Sequence, residues 1–171
     1  MHRDSNRRIG LMVFVAGSLV VGAFPAQPAA LKFDPQKACM ALADTGLRTR
    51  GGYTGKAGEA FRCDSQRKTI MAGDTAQDEI RFSALGNKQN VEEFLLVLNV
   101  RSPGDVQRAH RKLAEYAAEL TEGMLDMPLP KDVNDAIMSA LNGSWTSGGY
   151  VFDLRRTTVG DGLYELQLSI R

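Results

Sequence analysis

The strongest constraint on the fold is the alternation of apolar and polar residues near the C-terminus. Tyr150, Phe152 and Leu154 share one side of a period-two pattern, and a second such pattern runs from Tyr164 to Ile170. Successive side chains of a strand point to opposite faces of a sheet, so each run predicts a strand with one buried face. A turn composition, Val159-Gly160-Asp161-Gly162, separates the two runs. The sequence therefore predicts a C-terminal β-hairpin.

The rest of the chain carries three further strand patterns and three helix patterns. Asp34-Pro35 predicts the start of a helix over about residues 35–45, because Asp caps unpaired amides and Pro fits the first helical position. The other predicted elements are strands at Glu59–Ser65, Asp78–Ala84 and Val91–Val100, a long helix from about Val106, and a shorter helix from about Lys131 to Leu141. Glycine-rich residues 50–58 and 143–149 are predicted to be loops.

This order of elements, αβββααββ, is typical of an α+β domain. Because the strands are short and the C-terminal pair is a hairpin, we expect a five-stranded, mainly antiparallel sheet. Each predicted helix has a single apolar stripe, so we expect the helices to pack together on one face of that sheet.

Residues 1–23 have the architecture of a secretory signal peptide. A head with three arginines precedes an apolar and small-residue run of 16 residues, Ile9–Phe24. A membrane-spanning helix needs about 20 residues, and small side chains favour cleavage after Ala23. An uncleaved anchor at the inner membrane is the alternative, and it would export the same domain. We expect a spacer at residues 24–33 and one periplasmic or secreted domain at residues 34–171.

The charge of the processed chain argues against two classes of partner. The whole chain has 21 basic and 20 acidic residues, and removal of residues 1–23 takes away three arginines and one aspartate, which leaves 18 and 19. With this balance the chain has no excess of positive charge that would attract nucleic acid or an anionic membrane surface. A protein partner is therefore favoured.

The two cysteines, Cys39 and Cys63, predict a disulfide. Cysteines of exported domains form disulfides because the compartments outside the cytoplasm are oxidising. Both residues occupy inward positions, Cys39 on the first predicted helix and Cys63 on the first predicted strand. The bond would staple that helix to the sheet. A structural role is favoured over a redox role because no Cys-x-x-Cys motif is present.

The sequence contains no recognisable catalytic or metal-binding motif, so we predict no catalytic residue, metal or cofactor. Gly55-Lys56 lacks the earlier glycine and the following Ser or Thr of a phosphate loop. His110, beside the apolar stripe of the long helix, is the one histidine after signal removal. A small periplasmic hydrolase that uses His110 is the alternative function, since the partners of a catalytic histidine need not be near it in sequence.

Three apolar residues are the candidates for partner binding. Leu95 and Val97 lie on the second face of a strand that is apolar on both faces, so either another segment of the chain covers them or they form an exposed patch. Trp145, the only tryptophan, either covers the core or serves as a recognition platform.

Several short motifs occur together between Phe94 and Arg171. They are Leu-Val-Leu-Asn-Val at 96–100, Ala-His-Arg-Lys-Leu at 109–113, Leu129-Pro130, Gly143-Ser144-Trp145 and the run Gly162–Leu166. In these motifs the chain resembles a group of uncharacterised exported proteobacterial proteins of small domain size. The resemblance implies a bacterial origin and brings no known activity with it.

These observations favour a non-enzymatic exported module that binds another protein or serves as an accessory domain. The hydrolase and a structural accessory domain held at the inner membrane are the alternatives.

Overall fold

The computed structural model describes residues 31–56, 58–70, 77–101, 103–160 and 162–171. The predicted signal peptide and most of the predicted spacer lie outside these residues. Leu31 and Phe33, at the end of that spacer, pack on the domain: Leu31 is buried, and Phe33 forms a β-bridge with Val91.

Within this part of the chain, the structure has eight strands and three α-helices. The helices are α1 (Pro35–Cys39), α2 (Val106–Leu125), which follows a single 3₁₀ turn, and α3 (Lys131–Ser139). The strands are β1 (Thr49–Thr54), β2 (Phe61–Ser65), β3 (Lys68–Thr69), β4 (Glu79–Gly86), β5 (Val91–Val100), β6 (Gly143–Ser147), β7 (Tyr150–Gly160) and β8 (Leu163–Ile170). None of the helices described is long and apolar enough to cross a membrane.

All strands belong to one antiparallel sheet with the order β1-β2-β4-β5-β8-β7-β6. The short β3 pairs with the other end of β4, through Lys68 opposite Ile80 and Thr69 opposite Glu79. Strands β1 and β6 therefore form the two edges of the sheet.

The α+β class is confirmed, but the predicted five-stranded sheet and the order αβββααββ are wrong. All five predicted strands are present, and β1, β3 and β6 are additional. Residues 50–58 and 143–149 had a loop composition because their strands have few apolar side chains: β1 contains Gly51 and Gly52, and β6 contains Gly143 and three hydroxyl residues. Edge strands bury little surface, so they lack the apolar alternation that identifies a strand.

One face of the sheet forms the core together with the three helices. The inward positions of the central strands are fully or almost fully buried, and they belong to a single cluster with the buried residues of the helices. On the sheet side the members from β4, β5, β7 and β8 include Ile80, Phe82, Ala84, Phe94, Leu96, Leu98, Phe152, Leu154, Leu166, Leu168 and Ile170. The apolar stripe predicted for α2 is buried from Ala109 to Met124.

Helix α1 begins as predicted and ends earlier than predicted. The Asp34 side chain accepts a hydrogen bond from the Lys37 amide at 2.9 Å, as expected of a cap. In a continuing helix the Cys39 carbonyl would accept a hydrogen bond from the Ala43 amide. Here it accepts one from Thr49 Oγ1 at 2.9 Å, and the Ala43 amide donates to the Met40 carbonyl instead. The chain therefore continues in tight turns to Gly46, which has a φ of +88°.

The predicted disulfide is confirmed. Cys39 and Cys63 are bonded, with Cα atoms 6.0 Å apart and a sequence separation of 24 residues. Both residues are buried. The bond connects the short helix α1 to β2, near the β1 edge of the sheet.

Loss of this disulfide should lower the stability of the domain. A bridge across a loop of this length is worth about 3.5 kcal/mol in the chain-entropy account, so Cys39→Ala should melt at a clearly lower temperature in calorimetry. The double variant Cys39→Ala/Cys63→Ala should melt close to either single variant, because one missing partner already removes the bond. A double variant as stable as the oxidised protein would contradict a stabilising role.

Candidate interaction surface

Leu95 and Val97 point away from the helices, on the second face of the sheet. Val97 is only 1% exposed, although none of the three helices described covers this face of β5. Its neighbours across the strands are Arg81 and Gln167, and long polar side chains of this kind cover apolar surface with their stems. Leu95 is half-buried between Ser83 and Ser169. The two residues therefore do not form a continuous exposed apolar patch.

Trp145 lies on the helix-facing side of β6, so the structure does not bring it together with Leu95. Leu95 is in one cross-strand row with Ser169, Asp153 and Ser144, and Trp145 is the next residue along β6 and points to the opposite face. It pairs with Phe152, packs against the core and is half-buried. One side of the indole is thus anchored in the core while another part is accessible.

Gly143 leaves space for the indole ring. A Cβ atom at this position would lie 2.3 Å from Trp145 Cη2, far inside van der Waals contact. The ring therefore leans along the strand over Gly143, and its position depends on a residue without a side chain.

Strand β6 is joined to β7 by a two-residue turn. Gly148 and Gly149 have φ values of +60° and +86°, and Ser147 pairs with Tyr150 on either side of them. Turns with two positive φ values match the twist of paired strands and favour glycine. A Gly-Gly pair before the Tyr150 strand is compatible with such a hairpin turn, but residues 143–147 lack the apolar alternation of a strand, so their composition predicts a loop.

The backbone groups of Ser144 and Thr146 point to the open edge of the sheet. Val151, opposite Thr146, exchanges both of its backbone hydrogen bonds with Arg171, so its N–H and C=O groups face β8 rather than β6. In an antiparallel pair such positions alternate with hydrogen-bonded ones, which places Thr146 and Ser144 with their N–H and C=O groups directed outwards. In the part of the chain that the structure describes, no strand pairs with this side of β6.

The Ser144 side chain is held by the neighbouring strand. Its hydrogen bond to Asp153, together with the ion pair between Asp153 and Arg171, holds the pKa of Asp153 below its usual range. This carboxylate is therefore charged and paired at neutral pH. It offers no free charge to a molecule that approaches the edge.

The two edges of the sheet differ. In β1, Gly51 and Gly52 have φ values of +80° and +70°, the register with β2 shifts between Arg50 and Thr54, and Arg50 is exposed. Irregular backbone and charged side chains are the devices that prevent an edge from pairing with another strand. Strand β6 has a regular register with β7 and contains no charged residue. It is the edge with neither irregular backbone nor charged side chains.

His110 is a buried, hydrogen-bonded core residue. It is 3% exposed, with Nδ1 lying 3.1 Å from the Met138 carbonyl and Nε2 lying 2.6 Å from the Tyr164 hydroxyl. A carbonyl oxygen only accepts, so in the neutral ring Nδ1 donates to it and Nε2 accepts from the tyrosine. Burial raises the pKa of Tyr164, which keeps that hydroxyl protonated. Neither partner is a serine or a carboxylate, so these contacts do not form a hydrolytic pair.

Among the residues described, no group of three or more His, Cys, Asp or Glu side chains is placed to hold a metal ion.

A methyl group at residue 143 should displace Trp145. We expect Gly143→Ala to destabilise the domain by about 1–3 kcal/mol through overpacking and to shift the tryptophan emission to longer wavelength. Gly160→Ala is the matched control, since a Cβ at that strand position meets nothing within 4 Å and should leave the emission unchanged. Identical emission spectra for the two variants would show that the indole does not lie over Gly143.

Comparison with known proteins identifies one family. No curated protein and no solved structure matches the chain. Residues 23–157 match a family model described as a family of unknown function, DUF6030. The matched region contains the disulfide, all three helices and the whole of β6. The chain is therefore a member of the DUF6030 family, for which no function is known.

Proposed function

We propose that this protein is a non-enzymatic exported module that binds a protein partner by adding a strand to the β6 edge of its sheet. The observation that carries the proposal is the contrast between the edges: β1 is irregular and charged, whereas β6 is regular and uncharged and directs the backbone groups of Ser144 and Thr146 outwards. Native proteins protect a sheet edge that has no partner. A regular, uncharged edge therefore favours a partner strand.

Strand addition supplies both affinity and specificity. The main-chain groups at Ser144 and Thr146 provide hydrogen bonds to an extended segment, and side chains beside the edge select its sequence. Trp145 is suited to this second role, because a partly exposed tryptophan that is anchored on one side contributes large contact area at little entropic cost. Of the candidate residues Leu95, Val97 and Trp145, the tryptophan is the one that lies at this edge.

Two features support the exported location. The N-terminal residues carry the pattern of a signal peptide, and the Cys39–Cys63 disulfide is of the kind that persists in oxidising compartments. Together they favour the periplasm or the exterior of the cell over the cytoplasm.

Export is tested by fractionation and mass measurement of the expressed protein. We expect a periplasmic or secreted product whose mass corresponds to a chain that begins near Phe24. Full-length protein in the membrane fraction would favour the uncleaved anchor. Full-length protein in the cytoplasm would contradict export.

A proline at residue 146 should abolish partner binding. Thr146→Pro removes the outward N–H and places a ring where the partner's carbonyl would approach, while the β6–β7 ladder does not use this amide. Thr146→Ala is the matched control, because it shortens the same side chain and retains the N–H. After crosslinking in the native compartment, quantitative mass spectrometry should find partners on the wild type and on Thr146→Ala, reduced at least tenfold on Thr146→Pro.

Melting curves must show that Thr146→Pro is folded. Equal capture by folded Thr146→Pro and by Thr146→Ala would rule out strand addition at this edge.

A further inference from the structure

We infer that the strand received by the β6 edge is β6 of a second copy of this chain, antiparallel to the first across a two-fold axis at Trp145. This inference rests on the proposed function, and it adds the identity of the partner and the register of the pairing. Three properties of the edge support it: the spacing of its outward backbone groups, the side chains on its two faces, and its ends.

The outward backbone groups are placed symmetrically about Trp145. Ser144 and Thr146 are one residue before and one residue after it, and both direct their N–H and C=O groups to the edge. A two-fold axis at Trp145 places Ser144 opposite Thr146 of the second copy, and Thr146 opposite its Ser144. Each of these is a hydrogen-bonded antiparallel pair, in which the two residues exchange both backbone bonds. In this alignment the outward N–H and C=O groups of one copy therefore pair with those of the other.

The side chains on both faces fit the same arrangement. On the face that the described helices do not cover, Ser144 of one copy lies beside Thr146 of the other. A cross-strand pair of small hydroxyl residues is favourable. On the helix-facing side, Trp145 meets its own counterpart at a non-hydrogen-bonded position, where side chains approach most closely. Offset packing of two indole rings is favourable, and each ring is half-buried in the monomer.

The ends of the strand also complement each other. Leu141, two residues before β6, is 62% exposed, which is unusual for a large apolar residue in this domain. The antiparallel register, continued two residues beyond each end of β6, brings it to the side of the Gly149 turn of the second copy. A Cβ atom at Gly149 would have nothing within 4 Å, so the turn leaves space for the leucine side chain. The exposed apolar residue of one copy thus meets an open glycine turn of the other.

Charge does not oppose self-association at this edge. Strand β6 contains no ionisable side chain, and the carboxylate opposite Ser144 on β7, that of Asp153, is paired with Arg171. Pairing two copies therefore brings no like charges into opposition. The interface is isologous, as expected of a two-fold dimer, and joins two sheets into one. Because a single short strand buries little area, the dimer is weak and depends on concentration.

Sedimentation velocity over a wide range of concentration tests for the dimer. We expect wild-type protein to pass from monomer to dimer as concentration rises, and the dissociation constant of Thr146→Pro to exceed that of Thr146→Ala at least tenfold, because only the proline removes the outward N–H. A monomer at every concentration up to the millimolar range would overturn the inference. A dimer of undiminished affinity in Thr146→Pro would also overturn it, because the copies would then associate through another surface.

A mixed disulfide tests the register without relying on the proline. The Cα atoms of Ser144 and the opposing Thr146 would be about 5.5 Å apart, within the range of a disulfide. Residue 144 is displaced from its own counterpart by two positions, about 7 Å along the strand, which puts the like pair out of reach. Ser144→Cys and Thr146→Cys proteins should therefore crosslink when mixed under mild oxidation, and much less when either is oxidised alone.

The outcomes separate this inference from the proposed function. Crosslinking confined to the mixture supports the two-fold pairing at Trp145. Equal crosslinking in the mixture and in each variant alone, or none in any, overturns it. If the protein is monomeric while another protein is captured by wild type and Thr146→Ala but not by folded Thr146→Pro, the second copy is excluded and strand addition at β6 stands.

Discussion

The pairing of β5 with β8 holds together two halves of the chain that are distant in sequence. Seven residue pairs join these strands, from Phe94 opposite Ile170 to Val100 opposite Tyr164. Strands β1–β4 lie on one side of this ladder and β6–β7 on the other. Within the residues described, no other strand pair connects the halves. The two helices of the connecting segment, α2 and α3, then cover the inward face that this ladder makes continuous.

An open sheet of this kind has two edges, and the chain treats them differently. At the β1 edge the disulfide fastens α1 to β2, and glycines with positive φ interrupt the ladder. At the β6 edge a tight glycine turn keeps the hairpin regular, and hydroxyl residues replace charged ones. The irregularity of the first edge disfavours further pairing. Among the residues described, no strand pairs with the outward backbone groups of the second edge, and this is why we propose the function there.

Two residues that the sequence suggested as functional candidates are buried in this fold. His110 seemed the one candidate for catalysis, yet both of its ring nitrogens bond to groups of the core, the Met138 carbonyl and the Tyr164 hydroxyl. Val97, which seemed a candidate for an interface, is buried in the monomer. In both cases neighbours from distant parts of the chain determine the role. A pattern of residue types cannot identify such neighbours.

The sequence by itself determined the elements with strong apolar periodicity, which are the five predicted strands β2, β4, β5, β7 and β8 and the buried stripe of α2. It also determined two local features, the Asp34 cap and the pairing of Cys39 with Cys63. These follow from local rules, because a buried strand or helix face must repeat at the period of its backbone. Only the tertiary structure decided that β1 and β6 are strands, since edge strands gain their hydrogen bonds from neighbours and need few apolar residues of their own. For the same reason it alone decided that Leu95 and Trp145 lie on opposite faces, and that the open edge is the one formed by Ser144 and Thr146.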